Sequence, residues 1–508
     1  MTGGLKATAS RLAITALFCA IGATVFAQKP AKAADLGGDC CADLEERVAE
    51  LEATTVRKGN KKVSVQIYGK MNRAVAFWDD GGEQNTYVVN NYNESTRTGI
   101  KGTTKIGGDW TAGYRIEWEY REAASSRLNQ FDDNNANDPT IAVRWSQMFV
   151  ANKTYGTLNW GLTATPKYDI TKTGMEYIST LPGEGGGLSD TMTADFRMNS
   201  NFRLRPTGFN NAEGLSTLTW SNISRCYSSS DSFNCSTRRN GVSYVSPEWQ
   251  GFTASYGYFE DDDWGAALRY KNTFADTWMV AGGVAYENLR DERLQSGGGG
   301  EATGVVPIPQ PNGSVANKTT FFERNFDEWA GSLAVKHKPT GLFATGIFST
   351  STTDDTNAVG FYTGTRAPDM SAWDVQAGIQ RKMLGLGAFG ETAFWGGYAE
   401  VHDGFGQASN GNGGSLGIPA NGVLKPGTFV NIGVPVQMTG SEVNRWFLAF
   451  DQDFASAAFH LYAVYQHFTA DLDLVTRDLS VSPKGKLKAI GESIDDFDVF
   501  YTGGRLYF

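Results

Sequence analysis

The sequence is poor in the residues on which most hydrolytic and metal chemistry depends. Its 508 residues include four histidines and five cysteines. His337, His402, His460 and His467 are not spaced as a zinc site, and no serine motif supplies a nucleophile with a histidine partner. No enzyme activity, cofactor or bound metal is therefore expected. After residue 33 there is also no apolar run of the roughly 18 residues that a transmembrane helix requires. Mean hydropathy is -0.33, yet aromatic residues make up 12% of the chain and glycine occurs 60 times. Those values fit a secreted β protein or a membrane barrel, and the placement of charge along each strand separates the two.

The N-terminus points to export. Lys6 and Arg11 precede a mostly apolar stretch from Leu12 to Phe26, with small-residue cleavage options at 25–27 and 31–33. Residues 1–33 read as a signal peptide. Phe18, next to Cys19, argues against a lipoprotein signal. Removal takes away Lys6, Arg11, Lys29 and Lys32 but no acidic residue, so the mature chain is more acidic than the formal charge of -10.

What the sequence does have is alternation. In residues 110–121, Trp110, Ala112, Tyr114, Ile116, Trp118 and Tyr120 share one face of a strand, with Arg115, Glu117, Glu119 and Arg121 on the other. Residues 63–78 repeat the pattern with Lys70 on the polar face, and only Arg73 breaks it. Aromatic residues at both ends of an apolar face, opposite charges, suit a lipid-facing girdle around a wet lumen. About 16 such strands can be counted, with 18 also compatible. Tight connections alternate with mostly long polar ones such as 79–94, 122–139 and 402–442, the expected contrast of periplasmic turns and external loops. The last strand ends on Phe508, which suggests a sheet closed by pairing its terminal strands. The fold class expected is all-β, a transmembrane antiparallel barrel over residues 62–508.

One connection stands apart. Between Pro166 and Arg239 lie acidic Asp169, Glu176, Glu184, Asp190 and Asp195, followed by basic Arg197, Arg203 and Arg205. Cys226 and Cys235 are expected to form a disulfide there, given an oxidising compartment. The stretch is either a stapled surface loop or a loop folded into the barrel.

Segments 67–81, 154–166 and 238–258, together with Phe508, resemble the alphaproteobacterial general porin family in sequence and order, and the likeness covers nearly the whole mature chain. The resemblance implies a homotrimer of 16-stranded barrels, each with a water-filled channel for passive diffusion of small hydrophilic solutes and ions. It gives residues 167–237 the role of constriction loop. Glu176, Glu184, Asp190 and Asp195 would then face basic wall residues, for which alternation offers Lys70, Arg115, Arg121 and Arg144. Phe508 becomes the assembly signal read by the barrel insertion machinery, in a bacterial outer membrane containing lipid and lipopolysaccharide. The acidic balance suggests a mild cation preference. A substrate-selective channel and a secreted adhesin or lectin are the alternatives.

Residues 34–61 do not belong to the barrel. Leu44, Val48 and Leu51 have coiled-coil spacing, consistent with a short periplasmic helix that three copies could bundle. Adjacent Cys40 and Cys41 suit interchain disulfides better than a strained ring between neighbours. Gly385 to Gly390 matches a dinucleotide fingerprint, but at a strand turn with no helix to receive phosphate, so no nucleic-acid or nucleotide partner is expected. Glu260 to Asp263 reads as a solvated turn.

Overall fold

The computed structural model describes residues 62–130, 132–133, 141–178, 197–199, 215–224, 226, 238–293, 303–309, 315–321, 323–353, 368–383, 385–404, 415–416, 436–478 and 486–508. The expected signal peptide, the helical segment with Leu44, Val48 and Leu51, and residues Glu184, Asp190, Asp195 and Cys235 lie outside them. Among the described residues, no helix is long and apolar enough to cross a membrane.

Sixteen antiparallel strands form the barrel. The first eight are β1 (Ser64–Asp79), β2 in two parts (Gln84–Asn90 and Arg97–Gly107), β3 (Trp110–Tyr120), β4 (Ile141–Asn152), β5 (Gly156–Ala164), β6 (Arg238–Val245), β7 (Phe252–Phe259) and β8 (Trp264–Phe274). They continue as β9 (Trp278–Arg293), β10 (Glu323–His337), β11 (Leu342–Thr353), β12 (Met370–Arg381), β13 (Thr392–His402), β14 (Val436–Phe454), β15 (Phe459–Asp478) and β16 in two parts (Lys486–Ser493 and Phe497–Tyr507). Each strand pairs with its neighbours in sequence. Closure comes from β1 against β16, in register from Lys70 opposite Tyr507 to Asp79 opposite Asp498. Phe508 extends this seam, since its N–H donates to Gly69 O at 3.0 Å and its carbonyl accepts from Gly69 N at 2.9 Å. The Phe508 ring lies over Gly69, where a Cβ would fall 2.4 Å from a ring carbon.

The usual burial rule is inverted. Leu333 and Leu448 on the outer face are 60% and 61% exposed, whereas the inward-facing Arg445 and Arg505 are 0% exposed. A large apolar side chain left in water forgoes roughly 1.5–3 kcal/mol of burial, so this outer surface calls for lipid. Aromatic pairs bound it at both ends. Toward the long loops are Trp264 with Tyr286 (ring centroids 5.3 Å apart), Tyr286 with Trp329 (4.8 Å), and Trp446 with Tyr465 (5.1 Å). Toward the short turns are Phe252 with Tyr270 (4.6 Å), Phe389 with Phe454 (5.7 Å), and Trp110 with Tyr155 (5.8 Å). On β9, Trp278 to Tyr286 spans roughly 27 Å of strand. At the usual barrel tilt this gives about 20 Å of height, close to the ~25 Å apolar band of such barrels.

Two expectations need correction. Residues 79–94 are not a free loop: β1 and the first part of β2 form a tight hairpin, with Arg73 opposite Asn90 through to Asp79 opposite Gln84. Residues 91–96 then bend inward, because buried Asn72 donates to Glu94 O at 3.1 Å and accepts from Tyr462 OH at 2.5 Å. Arg73, the exception in the alternation, does fall on the outer face, half-exposed and paired with Glu122 at 2.9 Å. Glu260 to Asp262 is solvated as expected, but Asp263 is buried, where it pairs with Arg239 and accepts from Arg290 N at 2.7 Å.

Candidate functional site

The connection between β5 and β6 enters the barrel at once. Its first residues lie against the inner wall of β8 to β10. Lys167 is fully buried, with Nζ hydrogen-bonded to Glu328 and 3.5 Å from Glu287. Ser351 Oγ donates to the other Glu328 oxygen at 3.1 Å. Arg269 donates to Pro166 O at 2.6 Å and to Tyr168 O at 3.0 Å, and Ser332 Oγ donates to Ile170 O at 2.7 Å. These bonds satisfy loop carbonyls that lie away from any ladder. The short helix α1 (Thr173–Ile178) follows. It comes so close to the wall that a Cβ on Gly174 would sit 2.8 Å from Ala334 Cβ, so only glycine fits.

The same connection touches a second wall. In α2 (Trp220–Ile223), Trp220 packs on Phe468 of β15 and Phe497 of β16, with ring centroids 5.8 Å and 6.2 Å away. Ile223 and Cys226 are fully buried in the same apolar cluster. Cys226 is disulfide-bonded, while its expected partner Cys235 is outside the described residues. Around a circle of sixteen strands, β9 and β16 are nearly opposite. One connection is thus fastened to two facing walls of the lumen.

Charged side chains face it from β1 to β4 and β6. Arg115 lies 2.6 Å from Glu117, Arg97 3.8 Å and Arg144 3.3 Å from the same carboxylate. Glu119 holds Arg144 and, at 3.1 Å, Arg121. Tyr68 OH donates to Glu117 at 2.8 Å, and Tyr92 OH donates to Glu119 at 2.8 Å. Lys70 pairs with Glu94 on the inward bend of β2. The Arg115 guanidinium stacks over Trp145, 4.2 Å from the ring centroid, and Trp145 meets Tyr168 of the loop edge-on at 5.5 Å. Arg238 donates to Tyr168 OH at 2.9 Å. Two glutamates are thus shared among several guanidinium groups, and the loop's tyrosine is inserted among them.

Lys70, Arg115, Arg121 and Arg144, inferred from alternation, all lie on this wall. Glu176 lies on α1, where it is open to the lumen but partly desolvated by the surrounding barrel; that desolvation and neighbouring Asp169 push its carboxyl above the usual carboxylate range, against the pull of Lys172, Lys70 and Arg269. Sequence reasoning missed Arg97, Trp145, Lys167, Tyr168, Arg238 and Arg269. A β-bulge hides Trp145: the register of β3 on β4 jumps from Glu117 opposite Trp145 to Trp118 opposite Val143. Arg144 and Trp145, consecutive in sequence, therefore both reach the lumen.

The chain matches the Gram-negative porin family over residues 15–479. Comparison with curated proteins finds no match. Among solved structures, an anion-selective porin from Comamonas acidovorans aligns with a TM-score of 0.47 at 16% identity, covering 88% of this chain and 100% of that one. OmpT of Vibrio cholerae, in its trimer form, aligns with a TM-score of 0.44 at 14% identity over 88% of this chain and 99% of that one. OmpF of Salmonella typhi, in complex with daunomycin, gives 0.43 at 11% identity over 89% and 99%. The family match covers most of the sequence and agrees with the closed barrel and its apolar outer band; the chain belongs to the Gram-negative porins and is a channel protein of the bacterial outer membrane.

Proposed function

We propose that the channel passes small hydrophilic solutes and ions by passive diffusion, with residues 167–237 as its constriction loop and no catalytic role. The observation that carries this reading is the double fastening of one loop, by Lys167 to the β9 and β10 wall and by Trp220 to the β15 and β16 wall. A loop held across a lumen narrows it, and charge at the narrowing sets solute preference. Within the family, segments 67–81, 154–166 and 238–258 support the alphaproteobacterial general branch. Assembly as a homotrimer and recognition of Phe508 by the insertion machinery belong to the same reading.

The cation preference expected from whole-chain acidity does not carry over to the wall of β1 to β4 and β6 that faces the loop. On that wall Lys70, Arg97, Arg115, Arg121, Arg144 and Arg238 outnumber Glu94, Glu117 and Glu119. External carboxylates beyond a Debye length of about 8 Å count little at physiological salt. A weak anion preference is the reading these groups support. Liposome swelling with a size series of neutral sugars, alongside reversal potential in a salt gradient, tests both parts. Size-graded uptake with an anion-directed potential agrees. Uptake of one sugar regardless of size would favour a selective channel instead.

A further inference from the structure

At the outer ends of β13 and β14, on the face turned away from the lumen, Glu400, His402 and Glu442 come together. Ala399 and Val401 point inward and are fully buried, which puts Glu400 and His402 outside together with half-exposed Tyr398. Strand register sets His402 directly opposite Glu442, and Glu442 directly opposite Asp471 of β15. His402 Nε2 is 2.5 Å from Glu400 Oε1 and its Nδ1 is 3.9 Å from Glu442 Oε2. One ligand atom from each of the three lies within 4.8 Å of the others. A tetrahedral zinc site with bonds near 2.0–2.1 Å needs ligand atoms about 3.3 Å apart, and rotation of two long glutamate side chains covers the difference.

We propose that Glu400, His402 and Glu442 form a site for a divalent transition metal of the zinc class, unconnected with solute passage. Three features distinguish it from an ordinary acidic rim. The imidazole is a donor that zinc favours, whereas calcium and magnesium favour oxygen alone. Glu442 is already oriented: Asn444 Nδ2 donates to its Oε1 at 2.9 Å, and Tyr398 OH donates to Asn444 Oδ1 at 2.6 Å, leaving Oε2 for a metal. Glu442 and Asp471 are like charges in directly opposed positions, which disfavours the sheet. Among the described residues, no lysine or arginine pairs with Glu400, Glu442 or Asp471, so a cation is what the arrangement lacks. Spacing along the sequence conceals the site, because two ligands are alternate residues of one strand and the third belongs to the next.

The test is calorimetric titration of zinc chloride into the folded full chain, free of a histidine tag and stripped with chelator. One zinc ion per chain is expected, unaffected by excess calcium. His402→Ala and Glu442→Gln are expected to weaken binding at least about 100-fold, and Asn444→Ala about 10-fold, in line with the 10–100-fold typical of outer-shell partners. His467→Ala, which removes a histidine flanked by Asp496 and Asp498 on the same outer face, should leave binding unchanged. Heat-modifiable migration verifies that each variant has folded. Equal zinc affinity in wild type and His402→Ala would overturn the assignment, as would displacement of zinc by equimolar calcium or loss of binding in His467→Ala.

Discussion

The loop between β5 and β6 is fastened twice, and the two attachments use opposite chemistry. At β8 to β10 the contacts are ionic and polar: Lys167 between Glu287 and Glu328, with Arg269 and Ser332 on loop carbonyls. At β15 and β16 the attachment is apolar, with Trp220, Ile223 and Cys226 against Phe468 and Phe497. The difference shows what each does to the lumen. An ionic anchor is sensitive to removal of one partner, since the remaining charge stays buried. An apolar anchor loses stability through the cavity that truncation leaves.

The largest effect is expected for Lys167→Met, which leaves Glu287 and Glu328 buried without their cation. The usual cost of breaking a buried pair is about 3–5 kcal/mol. The expected result is higher and noisier single-channel conductance. The variant that also carries Glu287→Gln and Glu328→Gln should be closer to wild type, because no charge is stranded. At the apolar anchor, Trp220→Ala is expected to cost about 3–5 kcal/mol of local stability, seen as faster proteolysis of the loop with the barrel intact. Cys226→Ser should give a smaller loss, on the order of 2–4 kcal/mol, and dithiothreitol should reproduce it in wild type but add nothing to the variant.

Smaller effects concern charge. Arg144→Ser removes a cation beside Tyr168. Two unit charges about 8 Å apart in water interact by roughly 0.5 kcal/mol; anions lose that attraction and cations lose the same repulsion, so the ratio of anion to cation permeability should fall by a factor of about five, and less in high salt. Glu176→Gln should already move selectivity modestly toward anions at neutral pH, because it removes a carboxylate charge beside the wall. Because partial desolvation in the lumen and Asp169 raise the Glu176 pKa, acidification neutralises this carboxylate before an ordinary one. Wild type should therefore shift toward anions as pH falls through the mildly acidic range, and Glu176→Gln should lack that part of the shift.

Much of the fold was legible because alternation is local. Trp110 to Arg121 announces both faces of β3, and the same parity placed Lys70, Arg115, Arg121 and Arg144 on the inward side. Register is not local. The bulge at Arg144 and Trp145 breaks parity, and the inward bend at 91–96 depends on Asn72 meeting Tyr462, far away in sequence. The loop anchors have no period at all, so Lys167 and Tyr168 could be located only once Glu328, Arg238 and Trp145 were in place around them. Strand number, open between sixteen and eighteen in the sequence, is decided by β2 and β16, each of which is one strand in two parts.

The most direct test is single-channel conductance in a planar bilayer for wild type and Lys167→Met, at equal salt and with folding verified by heat-modifiable migration. A pinned constriction predicts a small, steady wild-type conductance and a larger, fluctuating one in the variant. Identical conductance in the two proteins would contradict the claim that this loop, held by Lys167, narrows the channel.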